Sequence, residues 1–469
     1  MTETLLAGAA ETPLSDPGLR LTRGAVAELA ADIRAHIADE GLAGARLCLA
    51  LDSTLGSLAM LAALLESDAS VALIPRPTDG SDPDWPGFVE AGLTPPDAAA
   101  GAATLEITRL KEGLPRGEDR VYLRTSGTTG VPKWAVHDTQ TFFRNCAAAK
   151  ARLTLAADDR VMLPVPIHHM YGLGAGLVPS LMAKSAIHLV PRGNPLEVFQ
   201  AQRAFEPNVM FLVPSQCRSI MALRRKAGFA RLVVVAGDKL SADEAAAFEA
   251  DHGVVVPLYG STEMGVMCTS SPEEEPRWRH LTAGTPIDGL ALALDETEEP
   301  DAAAEGARPL RLTARDGLLG YTEPGGGDGA VTTPAADPWV TGDLIRVQEG
   351  GRVEVLGRAD FAVNRDGLLV HMGDIEGAMS RASGVAGAAV VSAGQSRRGV
   401  GLVAFAQLTR AGITDAEAIL EAIRAELPPR AVPDRMVVTE ALPLLPSGKP
   451  DRRALTAEAQ ALVADAPLE

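Results

Sequence analysis

The chain has 469 residues, about enough for two or three domains. Its hydrophobic content of 46% is typical of a protein with a large buried core, and only 4% of its residues are aromatic. Acidic residues number 61 and basic residues 43, so the formal net charge is −18. That balance argues against non-specific binding to nucleic acid and against docking on an anionic membrane surface.

The spacing of the cysteines and the length of the apolar runs indicate the cellular compartment of the protein. Neither a CxxC pair nor a zinc knuckle is predicted, because the cysteines lie far apart, at Cys48, Cys146, Cys217 and Cys268. No basic residue precedes the short apolar stretch at the N-terminus, which argues against a secretory signal. The longest apolar run, Leu58–Leu65, is far shorter than the roughly 18 residues of a membrane span. We predict a soluble cytoplasmic protein with reduced thiols, and leave its oligomeric state open, with a homodimer as one option.

Short β-branched runs alternate with helical patterns through the first half of the chain. The predicted helices are Leu55–Leu65, Thr141–Leu153 and Ser241–Asp251. The predicted strands are Val71–Ile74, Arg160–Pro164, Ile187–Val190, Val209–Val213 and Leu232–Val235. Strands separated by helix-length segments indicate βαβ units, so we predict an α/β fold with mostly parallel sheets flanked by helices.

The composition changes at residues 295–338, where an acidic alanine-rich stretch and the glycine loop Gly325–Gly329 interrupt the pattern. Short β patterns follow, and a new unit begins at about residue 358. Its predicted elements are a helix at Gly373–Ser383, strands at Ala388–Val391 and Leu402–Leu408, a helix at Asp415–Glu426 and a strand at Met436–Val438. We therefore predict a large N-terminal domain, residues 1–357, and a small α+β C-terminal domain, residues 358–469.

The segment Thr125–Lys133 has the composition of a phosphate-binding loop. Its sequence, TSGTTGVPK, places four hydroxyl residues and two glycines before a lysine. Glycines allow a backbone to approach an anion closely, hydroxyls donate hydrogen bonds, and the lysine supplies positive charge. The spacing does not fit a Walker loop. The alternative is an ordinary Ser/Thr/Gly turn at the surface.

Five motifs together resemble the adenylate-forming superfamily, which includes acyl-CoA synthetases, peptide-synthetase adenylation domains and firefly luciferase. They occur in the order of that family and span nearly the whole chain. The motifs are Thr125–Lys133, Tyr259–Glu263 (YGSTE), Thr341–Asp343 (TGD), Gly357–Asp360 (GRAD) followed by Gly367, and Pro446–Lys449 (PSGK) followed by Arg452.

The resemblance implies an ATP site. A carboxylate such as Glu263 is suited to hold Mg²⁺ against nucleotide phosphates, Tyr259 offers a flat face to adenine, and Asp343 can accept from both ribose hydroxyls. An isolated aspartate in a turn is otherwise an ordinary capping group. The expected catalytic residues are Lys449, Glu263, Thr262 and Lys133. The expected nucleotide-binding residues are Thr125, Ser126, Gly127, Thr128, Thr129, Gly130, Gly237, Tyr259, Gly260, Asp343 and Arg358.

The resemblance also implies that the small domain rotates about a hinge at Asp360. Lys449 would then bridge the substrate carboxylate and the α-phosphate, and Gly367 would line the path of a pantetheine thiol. Two positions depart from the family pattern: Phe361 stands where a second Asp is common, and Met372 where Pro is usual. The first leaves ligand binding intact and bears on the hinge, and the second bears on the thiol side.

The acyl pocket is predicted near Pro166–Leu173, which resembles a P-x-F-H-x-x-G-L segment of the family. The candidate pocket residues are His169, Tyr171, Asp238 and Gly284. The adjacent histidines have no acidic or thiol partner at ligand spacing, so a packed or gating histidine is favoured over a metal ligand. Amino-acid-activating relatives place an Asp in this stretch, where Met170 and Tyr171 stand here. An aryl or modest-sized polar carboxylic acid is therefore the favoured substrate.

The predicted function is ATP-dependent ligation of a carboxylic acid to a thiol through an acyl-adenylate, with CoA as acceptor. One alternative is a stand-alone enzyme that loads the phosphopantetheine arm of a carrier protein, because the adenylation motifs serve both. A second alternative is a nucleotide-binding protein without catalysis. The retained charges of Lys449, Glu263 and Lys133 argue against it.

Overall fold

The computed structural model describes residues 4–125, 133–191, 193–223, 228–293, 308–314, 318–323, 329–336, 338–358, 362–365, 368–409, 415–445 and 450–468. The helices are α1 Arg23–Asp39, α2 Leu55–Leu65, α3 Thr139–Arg152, α4 Val178–Met182, α5 Pro195–Phe205, α6 Pro214–Ala222, α7 Ala242–His252, α8 Pro276–Leu281, α9 Met372–Arg381, α10 Ala416–Glu426 and α11 Arg452–Asp465. A π-helix, Tyr171–Leu177, leads directly into α4.

The strands of the first half are β1 Pro13–Ser15, β2 Arg20–Thr22, β3 Arg46–Leu51, β4 Ser70–Pro75, β5 Ala91–Thr94, β6 Glu106–Arg109, β7 Arg120–Arg124, β8 Trp134–Asp138, β9 Arg160–Leu163, β10 Ala186–Leu189, β11 Val209–Leu212 and β12 Ala230–Val235. The later strands are β13 Gly253–Ser261, β14 Gly265–Thr269, β15 Thr285–Pro286, β16 Leu290–Leu292, β17 Arg308–Ala314, β18 Leu318–Thr322, β19 Thr333–Pro334, β20 Trp339–Gln348, β21 Arg352–Arg358, β22 Ala362–Arg365, β23 Leu368–His371, β24 Val385–Ser396, β25 Gly399–Leu408 and β26 Arg435–Thr439.

Two large sheets dominate the first part of the chain. Within the described residues, one has the order β15-β14-β13-β12-β11-β9-β10-β1-β2 and the other β19-β18-β8-β7-β4-β3-β5-β6. Their central strands are parallel, and their outer pairs are antiparallel. A four-stranded sheet has the order β16-β17-β20-β21. The predicted α/β fold is thus confirmed. The sheets are more mixed than predicted, since four of the seven neighbour pairs described in the eight-stranded sheet are antiparallel.

Side-chain alternation divides the core into layers. In β4, Val71 and Leu73 enter a cluster that contains residues of both large sheets, whereas Ala72 and Ile74 enter a cluster on the opposite face of their own sheet. Every residue of α2 is buried, and its Leu, Ala and Met side chains belong to the shared cluster. A helix that is apolar on all sides is stable only when protein surrounds it, which explains the uniform Leu/Ala/Met composition of this segment.

The C-terminal part contains its own five-stranded sheet, with β23-β22-β25-β24 in order and β26 beside β25. One face of β24 and β25 packs with α9 and α10 through residues such as Val390 and Ala404. The other face packs with α11 through residues such as Val391 and Phe405. Independent clusters on both faces make this a small α+β unit, as the sequence predicts.

The chain divides into two compact units. The larger contains Met1–Leu292, Leu312–Trp339 and Gln348–Val353, and the smaller contains Ala293–Arg311, Val340–Val347 and Glu354–Glu469. None of the helices in the described ranges has both the length and the apolar composition to cross a bilayer. All four cysteines are free and buried.

Candidate active site

A tight turn between β13 and β14 carries Thr262 and Glu263. The two strands pair antiparallel, and the register shifts between Tyr259 and Gly260. Gly265 closes the turn with φ of +69°, a value that favours glycine. The Met264 amide donates to the Ser261 hydroxyl over 3.1 Å. The YGSTE motif therefore forms the end of a strand and the turn that follows it.

Asn145 of α3 holds the end of this turn by hydrogen bonds to its backbone. Its Oδ1 accepts from the Val266 amide at 2.9 Å, and its Nδ2 donates to the carbonyls of Val266 at 2.9 Å and Met264 at 3.2 Å. A Cβ at Gly265 would lie 2.4 Å from Asn145 Oδ1, so this position has no room for a side chain. Helix α3 starts directly after β8 because Asp138 caps it, accepting from the Thr141 amide at 2.9 Å.

His137 of β8 holds the start of the turn by a hydrogen bond to its backbone. Its Nε2 lies 2.9 Å from the carbonyl oxygen of Thr262. A carbonyl can only accept, so Nε2 carries the proton and the ring is the Nε2–H tautomer. Burial lowers the pKa of His137 to about 4, and the hydrogen bond to Thr262 opposes that shift only in part. The ring is therefore neutral at physiological pH.

The charged and polar side chains near this turn lie on one face of β8 and its neighbouring strand. Because side chains alternate along a strand, Lys133, Ala135 and His137 share a face. The neighbouring strand β18 places Tyr321 directly opposite Ala135, on that same face. Trp134 points the other way, into an apolar cluster.

Tyr321 contacts one residue of the TSGTTGVPK motif and one residue of the YGSTE motif. Its hydroxyl lies 3.4 Å from Glu263 Oε1, and Lys133 Nζ lies 5.9 Å from the centroid of its ring. Burial, and then the negative charge of Glu263, raise the pKa of the Tyr321 hydroxyl, so it stays protonated and can donate to the carboxylate. Lys133 and Glu263, 130 positions apart in the sequence, therefore contact the same side chain.

The predicted phosphate-binding loop connects β7 and β8. Buried Thr125 closes its base: its amide donates to the Lys133 carbonyl at 2.8 Å, and its hydroxyl donates to the same oxygen at 3.2 Å. Ser126, Gly127, Thr128, Thr129 and Gly130 lie outside the described residues. The loop is thus a hairpin connection whose second strand begins immediately after Lys133.

Tyr171 is half-buried, and its hydroxyl lies against two backbone carbonyls. The oxygen lies 3.0 Å from the carbonyl of Leu212 and 2.9 Å from that of Val234, near the ends of β11 and β12. Burial raises the pKa of this hydroxyl. The hydroxyl shares its single proton between these two carbonyls. This contact fixes the π-helix against the sheet, so only the ring of Tyr171 remains to contact an acyl group.

The other candidate pocket residues differ in exposure. His169 is exposed, and its ring centroid lies 4.2 Å from that of His168. Burial lowers the pKa of His168 to about 3, with a further contribution from His169. Asp238 is exposed and accepts from the Lys239 amide at 2.8 Å, directly after Gly237, whose φ is +92°.

Two glycines of the predicted site are required by packing. A Cβ at Gly284, whose φ is +74°, would lie 2.3 Å from the backbone of Thr269 and Ser270. A Cβ at Gly260 would lie 2.4 Å from the carbonyl oxygen of Gly265, across the hairpin. Tyr259, beside Gly260, is half-buried. Backbone proximity therefore explains both glycines without any ligand.

In the smaller unit, the TGD motif lies in β20. Gly342 has φ of +77°, the Asp343 amide donates to the Thr341 hydroxyl at 3.0 Å, and that hydroxyl donates to the Leu310 carbonyl at 3.3 Å. Arg358 ends β21. Asp360, Gly367 and Lys449 lie outside the described residues.

Arg452, the last residue of the fifth motif, is a structural anchor. Its guanidinium donates to the Val390 carbonyl at 2.8 Å and to Glu376 Oε2 at 2.8 Å. Glu376 also accepts from the Val390 amide at 2.6 Å. Helix α11 is thereby tied to α9 and β24 three residues after Lys449.

Sequence reasoning missed Tyr321, His137 and Asn145, which all contact the β13–β14 turn. None belongs to a recognised motif, and their contacts join positions 58 to 125 residues apart. The local sequence offered a signal for His137 alone. It is four residues after Lys133, and side-chain alternation along a strand places the two on the same face.

Comparisons with known proteins agree with the fold. The family model described as AMP-binding enzyme matches residues 4–307, and that described as AMP-binding enzyme C-terminal domain matches residues 374–449. A solved structure of ATP-bound MatB from Rhodopseudomonas palustris superposes with a TM-score of 0.79 at 17% identity, covering 98% of this chain and 99% of that one.

Curated relatives match most of this chain. The 2-hydroxy-7-methoxy-5-methyl-1-naphthoate–CoA ligase of Streptomyces carzinostaticus is 27% identical over 378 residues, covering 77% of this chain and 66% of the ligase. Bacitracin synthase 1 of Bacillus licheniformis is 24% identical over 388 residues, covering 78% of this chain and 7% of the synthase. The matched region is thus just under two thirds of the ligase and a small part of the synthase.

The pKa of His137 predicts a specific pH dependence of stability. The folded-state pKa, about 4, lies below the ordinary value of 6.5, so between these values the unfolded chain binds a proton that the folded chain does not. Stability from this group is fully present above pH 6.5 and is lost as pH falls toward 4. At pH 5.5 the loss should be about 1 kcal/mol. We expect His137→Gln, which keeps a donor near Nε2 and does not titrate, to lack this loss.

The measurement is urea unfolding of the wild type and of His137→Gln at pH 7.5 and 5.5. His137→Leu is the matched variant without a donor, and it should lower the free energy of unfolding at pH 7.5 by about 1–3 kcal/mol, because the buried Thr262 carbonyl loses its partner. If wild type and His137→Gln lose equal stability between pH 7.5 and pH 5.5, the assignment of a buried, neutral His137 ring is wrong.

Proposed function

The chain belongs to the AMP-binding enzyme family, and we propose that it is an ATP-dependent ligase that joins a carboxylic acid to a thiol. In the first half-reaction the acid and ATP give an acyl-adenylate and pyrophosphate. In the second, a thiol takes the acyl group and AMP leaves. CoA is the proposed acceptor.

The observation that carries this proposal is the meeting of Lys133 and Glu263 at Tyr321. A cation at the end of a glycine-rich loop and a carboxylate on a rigid turn are what a triphosphate with its metal ion requires. The hydrogen bonds of His137 and Asn145 to the turn support a preorganised site, because they fix the backbone before any ligand binds.

Glu263 is the residue that would hold Mg²⁺. This ion is usually bound by one or two carboxylates together with substrate phosphates. The donor type fits: Glu263 supplies carboxylate oxygens, of which Oε1 lies 3.4 Å from the Tyr321 hydroxyl, and oxygen is the ligand atom that this cation prefers. When bound, Mg²⁺ would neutralise phosphate charge as pyrophosphate leaves.

The proposed chemistry assigns the remaining roles by motif. A substrate carboxylate oxygen attacks the α-phosphorus, and the bond from that phosphorus to pyrophosphate breaks. Thr262 would donate to the α-phosphate, Asp343 would accept from the ribose hydroxyls, and Lys449 would stabilise the negative charge that builds between two anions. Asp360 would be the hinge for the change to the second half-reaction, in which Gly367 lines the thiol path.

An aryl or modest-sized polar acid is the proposed substrate. Met170 and Tyr171 stand in the stretch where amino-acid-activating relatives have an Asp. The Tyr171 hydroxyl is held by two backbone carbonyls, so this stretch offers no anion to an ammonium group. Burial lowers the pKa of His168 to about 3, so the His168 ring is neutral at physiological pH. The naphthoate–CoA ligase among the relatives acts on an aryl acid by its name, which supports this class.

A carrier protein is the second candidate acceptor. The match to a segment of bacitracin synthase 1, a much longer synthase, supports it. A cytoplasmic location and a homodimer stay predictions.

The test of substrate and acceptor is ATP–pyrophosphate exchange with a panel of aryl, small polar, aliphatic and amino acids. We expect exchange with one or more aryl or small polar acids and none with amino acids. Adding CoA, or a phosphopantetheine-bearing carrier protein, to the acid that works then identifies the acceptor by mass spectrometry. Exchange with amino acids alone would contradict the proposed substrate class.

Lys449→Ala should lower the rate of acyl-adenylate formation by about 100-fold or more, because a preorganised charge that stabilises the transition state is lost. Thioester formation from supplied acyl-AMP should stay near the wild-type rate. Both half-reactions are measured on one preparation. Equal losses in both would contradict the assigned role.

Gly367→Leu should block thioester formation and leave pyrophosphate exchange intact, because a bulky side chain would fill the thiol path. A glycine needed only for a turn after Asp366 predicts a different result, in which Leu destabilises the small domain and both half-reactions fall together. The ratio of exchange to thioester rates in the variant separates these outcomes.

A further inference from the structure

Tyr321 belongs to none of the motifs that the sequence reveals, yet it contacts the central groups of two of them. It lies in β18, which joins β8 antiparallel at the edge of the eight-stranded sheet. The preceding Gly320 has φ of +146°, and a Cβ there would lie 2.2 Å from the Thr333 carbonyl oxygen. Glycine thus lets β18 lie against β19 and sets the backbone just before Tyr321.

The ring of Tyr321 has an aromatic and a cationic neighbour. The ring of Trp339 lies 6.2 Å away, centroid to centroid, at an interplanar angle of 42°. Lys133 Nζ lies 5.9 Å from the same centroid, within the range of a cation–π contact. The ring therefore contributes to the position of the Lys133 ammonium group.

The hydroxyl of Tyr321 acts on Glu263. At 3.4 Å from Oε1 the contact is long for a hydrogen bond, and it engages one carboxylate oxygen only. A carboxylate oxygen can only accept, so the phenol hydroxyl is the donor in this contact. A donor on one oxygen restricts rotation of the carboxylate and leaves the lone pairs of the other oxygen for a cation.

We propose that Tyr321 is a positioning residue that presents the Glu263 carboxylate to Mg²⁺ and the Lys133 ammonium to the phosphates of ATP. This inference rests on the proposed function, because it assumes that the site takes the magnesium complex of ATP. It assigns separate tasks to the two parts of one side chain: the hydroxyl orients the carboxylate, and the ring face holds the lysine.

Two variants separate these tasks. Tyr321→Phe keeps the ring and removes the hydroxyl, so only the Mg²⁺-dependent part of ATP binding should weaken. Tyr321→Leu also removes the ring face, so ATP binding in EDTA should weaken as well. Tyr122→Phe is the matched control, because Tyr122 is a buried tyrosine of the same sheet. It lies on β7, which is separated from β18 by β8, and its ring packs on the opposite face of the sheet.

The experiment is isothermal titration of the full chain with ATP at a series of Mg²⁺ concentrations and in EDTA, together with melting temperatures. We expect Tyr321→Phe to raise the Mg²⁺ concentration for half-maximal tightening of ATP binding by about tenfold, the effect of losing one hydrogen bond to a charged group. Its affinity in EDTA and its melting temperature should match those of Tyr122→Phe. In exchange assays the KM for magnesium–ATP should rise and kcat should change little.

An unchanged Mg²⁺ dependence in Tyr321→Phe overturns the proposal. So does a weakening of ATP binding that is equal with and without Mg²⁺ and is accompanied by a lower melting temperature, because that pattern marks a purely structural residue. Failure of the proposed function looks different: the wild type would bind magnesium–ATP but exchange pyrophosphate with no acid. The binding comparison would then still decide the role of Tyr321.

Discussion

The turn that carries Thr262 and Glu263 is held by hydrogen bonds from outside its own hairpin. His137 donates to the Thr262 carbonyl from the eight-stranded sheet, and Asn145 pairs with the Met264 and Val266 backbone from α3. These bonds connect the end of the nine-stranded sheet to the second sheet. The role proposed for the Glu263 carboxylate requires a backbone that does not move when charge arrives, and fixed neutral donors supply that rigidity without competing for the ligand.

The neutral state of His137 follows from the same arrangement. A ring that is buried and donates to a carbonyl gains little from a second proton, so its pKa falls to about 4. A protonated imidazole would place a positive charge behind Thr262, where it would compete with Lys133 for phosphate. Burial removes that competition, and Lys133 stays the one cation that contacts Tyr321 among the described residues.

The layered core explains why these groups can be placed so tightly. β8 has an apolar face, which packs Trp134 and Val136 with the ring of Tyr122. Its other face carries His137, and Lys133 directly precedes the strand. The apolar face fixes the strand in the sheet, and the strand period then carries the polar side chains toward the β13–β14 turn. Stability and site geometry are thus consequences of one alternating pattern.

The sequence by itself determined the family, the α/β class, most of the element positions and the motifs. Helix α2, predicted as Leu55–Leu65, has those same bounds, because local signals such as apolar runs and glycine-rich loops are complete within a few residues. The extent of β24 was underestimated: Ala388–Val391 was predicted and Val385–Ser396 is found, since small residues such as Gly387 and Gly394 obscure the strand pattern.

Only the tertiary structure decided which side chains support the motifs. Tyr321 contacts a carboxylate 58 positions away, and His137 a carbonyl 125 positions away. It also showed that the hydroxyl of Tyr171, a predicted pocket residue, binds backbone carbonyls of β11 and β12. Such pairings depend on which strands become neighbours in a sheet. That choice is made by the packing of the whole core, so no local pattern in the sequence can reveal it.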